Sequence, residues 1–183
     1  MFPSRTWLAL AGCLLAASTW PAGARAQGGS APPDTHWSVH AGPGFTLSPT
    51  AFHFDFGAEY AVTPGLGIGP LMQIAADDDI LILAPTLNVR YGFDLSGSDD
   101  EFVSRLRPYV QGGIGLAYVE KDRRGRNPDD VEFLLNGGAG IEYAITESLA
   151  LGHGVMFNGM PADDAVGEDF FFSWQLMTFR FRF

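Results

Sequence analysis

VEFLLNGGAGIEYAITESLALGHGVMF, residues 131–157, decides the fold. From Phe133 the side chains alternate. Phe133, Leu135, Ala139, Ile141, Tyr143 and Ile145 fall on one face, and Leu134, Asn136, Gly138, Gly140, Glu142 and Ala144 on the other. A period of two is the signature of a β-strand, because successive Cβ atoms point to opposite sides. The chain turns within Thr146-Glu147 and returns through Leu149, Leu151, Val155 and Phe157. A strand of about 10 residues exceeds the usual length in soluble sheets and suits a tilted bilayer crossing. The stretch reads as a transmembrane hairpin.

Working outward, the same alternation recurs. The cleanest case is Ala51–Val62, where Phe52, Phe54, Phe56, Ala58, Tyr60 and Val62 oppose His53, Asp55, Gly57, Glu59 and Ala61. Further strands are predicted at His36–Leu47, Leu66–Ala75, Ile80–Phe93 and Arg105–Val119. The last is Phe170–Phe183, with Phe171, Met177, Phe179, Phe181 and Phe183 assigned to one face and Phe172, Trp174, Leu176, Arg180 and Arg182 to the other. With the hairpin this makes eight strands and no helix of useful length. Fold class is therefore all-β: an eight-stranded antiparallel up-and-down transmembrane β-barrel.

Two internal echoes support regular topology. Tyr60-Ala-Val-Thr-Pro-Gly-Leu66 parallels Tyr143-Ala-Ile-Thr-Glu-Ser-Leu149, both at tight turns after even-numbered strands. Gly112-Gly-Ile-Gly-Leu-Ala-Tyr118 parallels Gly137-Gly-Ala-Gly-Ile-Glu-Tyr143. No helix follows these glycines, so they are not a dinucleotide fingerprint.

Residues 1–26 have the form of a cleaved signal peptide: Arg5, an apolar run Trp7–Trp20, and Ala24-Arg25-Ala26 as cleavage site. Residues 27–35 form a short leader and 36–183 the barrel. Leu10-Ala11-Gly12-Cys13 also fits a lipidation signal, though its apolar run is short and continues past Cys13. Cys13 is the sole cysteine, so no disulfide framework holds the fold. The formal net charge is −10, and departure of Arg5 and Arg25 makes the remainder more negative by two. That argues against nucleic acid as a partner.

The chain resembles the small eight-stranded outer-membrane barrels, the OmpA-like and OmpX-like group. The resemblance spans residues 27–183. It is carried by Arg107-Pro-Tyr-Val-Gln-Gly-Gly-Ile-Gly-Leu-Ala-Tyr118, Gly138-Ala-Gly-Ile-Glu-Tyr-Ala-Ile-Thr-Glu-Ser-Leu149 and Phe179-Arg-Phe-Arg-Phe183. It implies residence in the outer membrane of a Gram-negative envelope and assembly by the barrel assembly machinery, with Phe183 as the aromatic terminal signal. Relatives often carry an inward Arg in strand seven, where this chain has Gly152 or Gly154. The peptidoglycan-binding domain of some relatives is absent from this sequence.

Volume sets the orientation. The apolar faces carry about 40 large side chains, too many for the interior of an eight-stranded barrel. They are expected to face lipid, with Gly42, Gly44, Gly67, Gly69, Gly113 and Gly115 among the inward residues. Six inward charges, Glu59, Arg90, Arg107, Glu142, Arg180 and Arg182, fall near the same, periplasmic end. Charges inside a membrane pair with one another, so an ion network plugging that end is expected. Its role is read first as structural; exchange of pairs would make it a gate.

Some barrels of this kind are lipid A deacylases or acyltransferases. His153 lacks a Ser at the His-x-Ser spacing and shares the lipid-facing phase, and His36, His40 and His53 have no convergent Ser. His40, His53 and Asp55 give only a weak metal signal. The expectation is therefore a non-catalytic monomer without metal or cofactor. Its partners are outer-membrane lipid and lipopolysaccharide, which the basic residues Lys121, Arg123, Arg124 and Arg126 and nearby acidic pairs would meet. Its role is structural or surface-interacting; the alternative is a narrow, porin-like channel for small solutes.

Overall fold

The computed structural model describes residues 36–78, 80–121, 130–160 and 170–183. The leader, the basic cluster at 123–126 and the last long loop lie outside them. Eight strands follow in order: β1 (Trp37–Leu47), β2 (Ala51–Ala61), β3 (Leu66–Ala76), β4 (Ile80–Gly92), β5 (Leu106–Lys121), β6 (Asp130–Ala144), β7 (Leu149–Gly159) and β8 (Phe170–Arg182). A one-turn helix, α1 (Glu101–Ser104), lies between β4 and β5, capped by the Asp100 carboxylate, which accepts from Phe102 N and Val103 N.

Each strand pairs antiparallel with the next, and β1 pairs with β8, closing the barrel. At the seam Trp37 and Phe183 exchange backbone hydrogen bonds of 3.2 and 3.0 Å. The end that holds these residues is called here the terminal end, and the opposite one the far end. The two echoed sequences build the same turn at the terminal end. Leu66 N donates to Thr63 Oγ1, as Leu149 N does to Thr146 Oγ1, and Val62 N and Ile145 N donate to the carbonyls of Leu66 and Leu149.

The outer wall is apolar: Phe52, Phe56, Leu87, Ile114, Leu116, Leu135 and Phe157 are all exposed on it. The inner face buries Asp55, Gln73, Asn88, Glu142, Ser173 and Arg180. An exposed belt of large apolar side chains around a polar interior is stable only where the surroundings are hydrocarbon.

The facing assigned to β8 needs correction. Phe171 is fully buried inside the barrel, whereas Trp174 and Leu176 are exposed outside with Phe170. Thr178 pairs with Gly152 and Gln175 with Gly154, so Leu176 and Met177 together oppose the single residue His153. This β-bulge puts two successive side chains outward and reverses the phase beyond it. Before the bulge the odd residues point in; after it Thr178 and Arg180 do. Strict alternation counted from the C-terminus is right only up to the bulge.

Candidate functional site: the lumen

The lumen has three levels. At the terminal end Glu142 of β6 accepts three guanidiniums: Arg180 Nε at 2.7 Å, Arg90 Nη2 at 2.7 Å and Arg182 Nη2 at 3.3 Å. Glu59 of β2 meets Arg180 Nη1 at 3.1 Å and Arg90 Nη1 at 3.9 Å. Arg180 Nη1 also donates to Ser38 Oγ at 2.8 Å. The Arg90 guanidinium lies 3.9 Å from the centre of the Tyr109 ring. Strands β1, β2, β4, β5, β6 and β8 thus meet in one cluster. Burying these charges is tolerable because each carboxylate is shared and hydrogen-bonded; an unpaired buried ion costs far more.

Glycines make the room. A Cβ at Gly67 or Gly152 would collide with the Glu59 or Glu142 side chain, and one at Gly140 or Gly154 with the Tyr109 hydroxyl. A narrow barrel holds an Arg or Tyr on one wall only where the facing wall has no side chain.

The middle level is a neutral polar layer. Gln73 Nε2 donates to Asn158 Oδ1 at 2.9 Å, Asn158 Nδ2 to Ser173 Oγ at 3.1 Å, and Ser173 Oγ to Gln73 Oε1 at 3.3 Å, a closed ring across three strands. Gln175 Nε2 donates to Asp55 Oδ2. Asn88 and Asn136 both donate to Thr86 Oγ1, which donates to the Leu71 carbonyl.

The far level is mainly apolar, with Glu132, in register with Ala117, buried at the same height. Ile82, Ala84, Ala117, Val119, Leu134, Met160 and Phe171 form a single buried cluster there. Sequence reasoning placed glycines and polar groups throughout the interior and did not foresee this closure. Its signal was present in part: Ile82, Ala117 and Leu134 continue the inward phase of their strands. Phe171 was hidden by the bulge.

Of the six charges singled out in the sequence, five come together. Arg107 stands apart: it is in register with Glu142, yet forms none of these ion pairs. Tyr109 and Ser38 join the cluster unannounced. His40 and His53 do not converge. His40 is in register with Arg180 and Gly57, while His53 pairs with Gly44, four residues further along β1, about 13 Å at the rise of a strand. No group of three metal-ligating side chains converges among the described residues. His153 is exposed on the outer wall.

The chain belongs to the outer membrane protein beta-barrel domain family, whose model matches residues 8–169. Its fold is similar to that of the N-terminal barrel domain of Pseudomonas aeruginosa OprF, with a TM-score of 0.64 at 16% identity over 80% of this chain and 96% of that one. Neisserial surface protein A gives a TM-score of 0.62, also at 16% identity, over 80% and 96%. Ail of Yersinia pestis, in a complex with the heparin analogue sucrose octasulfate, gives 0.52 at 12% over 81% and 99%. At these identities the likeness concerns the fold. None of the curated proteins matches the chain.

Proposed function

We propose that this protein is an integral component of the outer membrane with a structural or surface-interaction role and no catalysis. The observation that carries this reading is the double closure of the lumen. Ion pairs fill the terminal end, and the Ile82–Leu134–Phe171 cluster fills the far end. A barrel of eight strands is normally filled by its own side chains, and the two layers support a filled lumen over a wide pore.

In this reading residues 1–26 direct export, Phe183 is read during assembly, and the chain works as a monomer. The terminal end faces the periplasm and the odd-to-even loops face outward. There the charged segment around residues 120–130 meets lipopolysaccharide phosphates and the divalent cations they share.

Single-channel recording on the purified barrel in a planar bilayer tests the reading. A closed baseline is expected. A stable open level would favour the narrow-channel alternative, and lipid A whose acylation depends on the protein would make it an enzyme.

A further inference from the structure

The outer wall is not evenly padded. Across β1, β2 and β3 its terminal half sinks into a groove of about 950 Å³. Small outward residues make the floor. Ala41 lies between Phe56 of β2 and Phe179 of β8, Ala58 lies opposite Val39, and Pro85 lies opposite Met72. Pro43 and Pro70 complete it. Phe54, Phe56, Phe179 and Phe181 stand around this floor, all exposed on the wall. The polar side chains at its border, His40 and Thr86, turn away to the lumen. His40 lies against Gly57, and Thr86 donates to the Leu71 carbonyl. Toward the terminal end the groove runs out at Trp37 and Tyr60, whose rings meet edge to face at 5.2 Å. They share the face of Val39 and Ala58 and stand two residues nearer the end of their strands. Aromatic girdles in such positions lie at the level of the lipid headgroups.

We propose that this groove seats one phospholipid of the leaflet at the terminal end, its acyl chains on the Ala41–Ala58 floor and its headgroup at the Trp37–Tyr60 girdle. The proposal rests on the reading of the outer wall as lipid-facing, and not on whether the lumen conducts. Water does not fill such a recess, because apolar cavities stay dry. Within hydrocarbon, association is driven by packing. A chain in the groove is touched from the floor and from both sides, whereas one on the convex wall is touched from one side. Ala and Pro have no rotamer freedom to lose when a chain settles on them. The size agrees. At about 30 Å³ for each methylene-sized group, the groove has room for about 30 of them, the hydrocarbon of one phospholipid. The floor from Val39 to Pro43 runs about 13 Å along β1, against about 15 Å for the hydrocarbon of one leaflet. A second barrel would offer a convex wall, which would bridge the phenylalanines and leave the floor empty.

The test uses Trp37 as its reporter. Trp37 and Trp174 are the tryptophans of residues 27–183, so Trp174→Phe leaves Trp37 alone at the mouth of the groove. Phosphatidylethanolamine with brominated chains is titrated into this barrel in neutral-detergent micelles. Saturable quenching is expected, half complete at a lipid mole fraction about tenfold below that for random mixing with detergent. Ala41→Phe with Ala58→Phe fills the floor and is expected to abolish this preference, leaving quenching proportional to mole fraction. Ala58→Leu, a smaller filling, is expected to weaken it in part. Ala139→Phe makes the same kind of change at an exposed position on β6 and is expected to titrate as the parent does. Proportional quenching in the parent, or an unchanged preference in the filled variant, would overturn the groove while leaving the lipid-facing wall intact. No quenching at all would overturn both. A parent that runs as a dimer, with the filled variant a monomer, would give the groove to a second copy and overturn the proposal.

Discussion

Arg180 Nε and Glu142 Oε1 meet at 2.7 Å across the lumen, joining β8 to β6 past the strand between them. Backbone ladders link only neighbouring strands, so this contact ties the wall to itself through its interior. Glu142 is the hub, because three of the cluster's arginines end on it. Breaking a buried pair by removing one partner typically costs about 3–5 kcal/mol. Glu142→Gln is therefore expected to lower the temperature at which the compact, fast-migrating gel form converts to the unfolded one. Glu101→Gln breaks only the exposed Glu101–Arg105 pair and is expected to change it little, since such pairs contribute about 0.3–0.5 kcal/mol.

The glycines opposite the carboxylates give an independent probe. Gly67→Val places a side chain where the Glu59 side chain lies. Glu59 then moves off Arg180 and Arg90, and the barrel is expected to melt below wild type. The double change Gly67→Val with Glu59→Ala should fall short of the sum of the singles, because the clash and the lost pair are one event.

At the far end, Phe171→Ala removes the largest fully buried side chain of the apolar closure. Large-to-small changes of this kind cost about 3–5 kcal/mol. The expected result is a lower melting temperature together with brief conductance events in a planar bilayer, which are not expected of wild type.

The bulge makes the sharpest sequence-level prediction. Deleting Met177 removes one of the two residues that face His153. Leu176 alone then lies between the inward Gln175 and Thr178, so both ladders become regular and Arg180 stays inward with Phe179 and Phe181 outward. The deletion variant is expected to give a heat-modifiable barrel on refolding, whereas one Ala inserted between Thr178 and Phe179, which turns Arg180 and Arg182 outward, is expected to give none.

Most of the architecture was legible because a membrane barrel writes itself as alternation, residue by residue. Phe52, Phe54 and Phe56 against His53 and Asp55 is the plainest instance, and strand limits read from such patterns fall within two residues of those observed. The ion cluster was legible because Glu59, Glu142, Arg90 and Arg180 are charges in an inward phase at the same distance from the terminal turns. Two things were not, or not fully. A bulge changes the phase without leaving a Gly or Pro to mark it, so Phe171 and Trp174 fell on the wrong faces. Ala84, Ala117 and Val119 keep the inward phase of their strands but look the same in sequence whether they meet lipid or one another, so the apolar closure was legible only in part.

The account rests on the outward direction of the apolar belt. Trp37 and Trp174 report on it, since both are exposed on the outer wall at 48% and 43%. The decisive measurement is tryptophan fluorescence of residues 27–183 refolded into bilayers with brominated acyl chains, compared with the same sample titrated with iodide. Strong quenching by the brominated lipid and weak quenching by iodide is the predicted result. Ready quenching by iodide with no effect of the bromines would place those side chains in water and contradict the account.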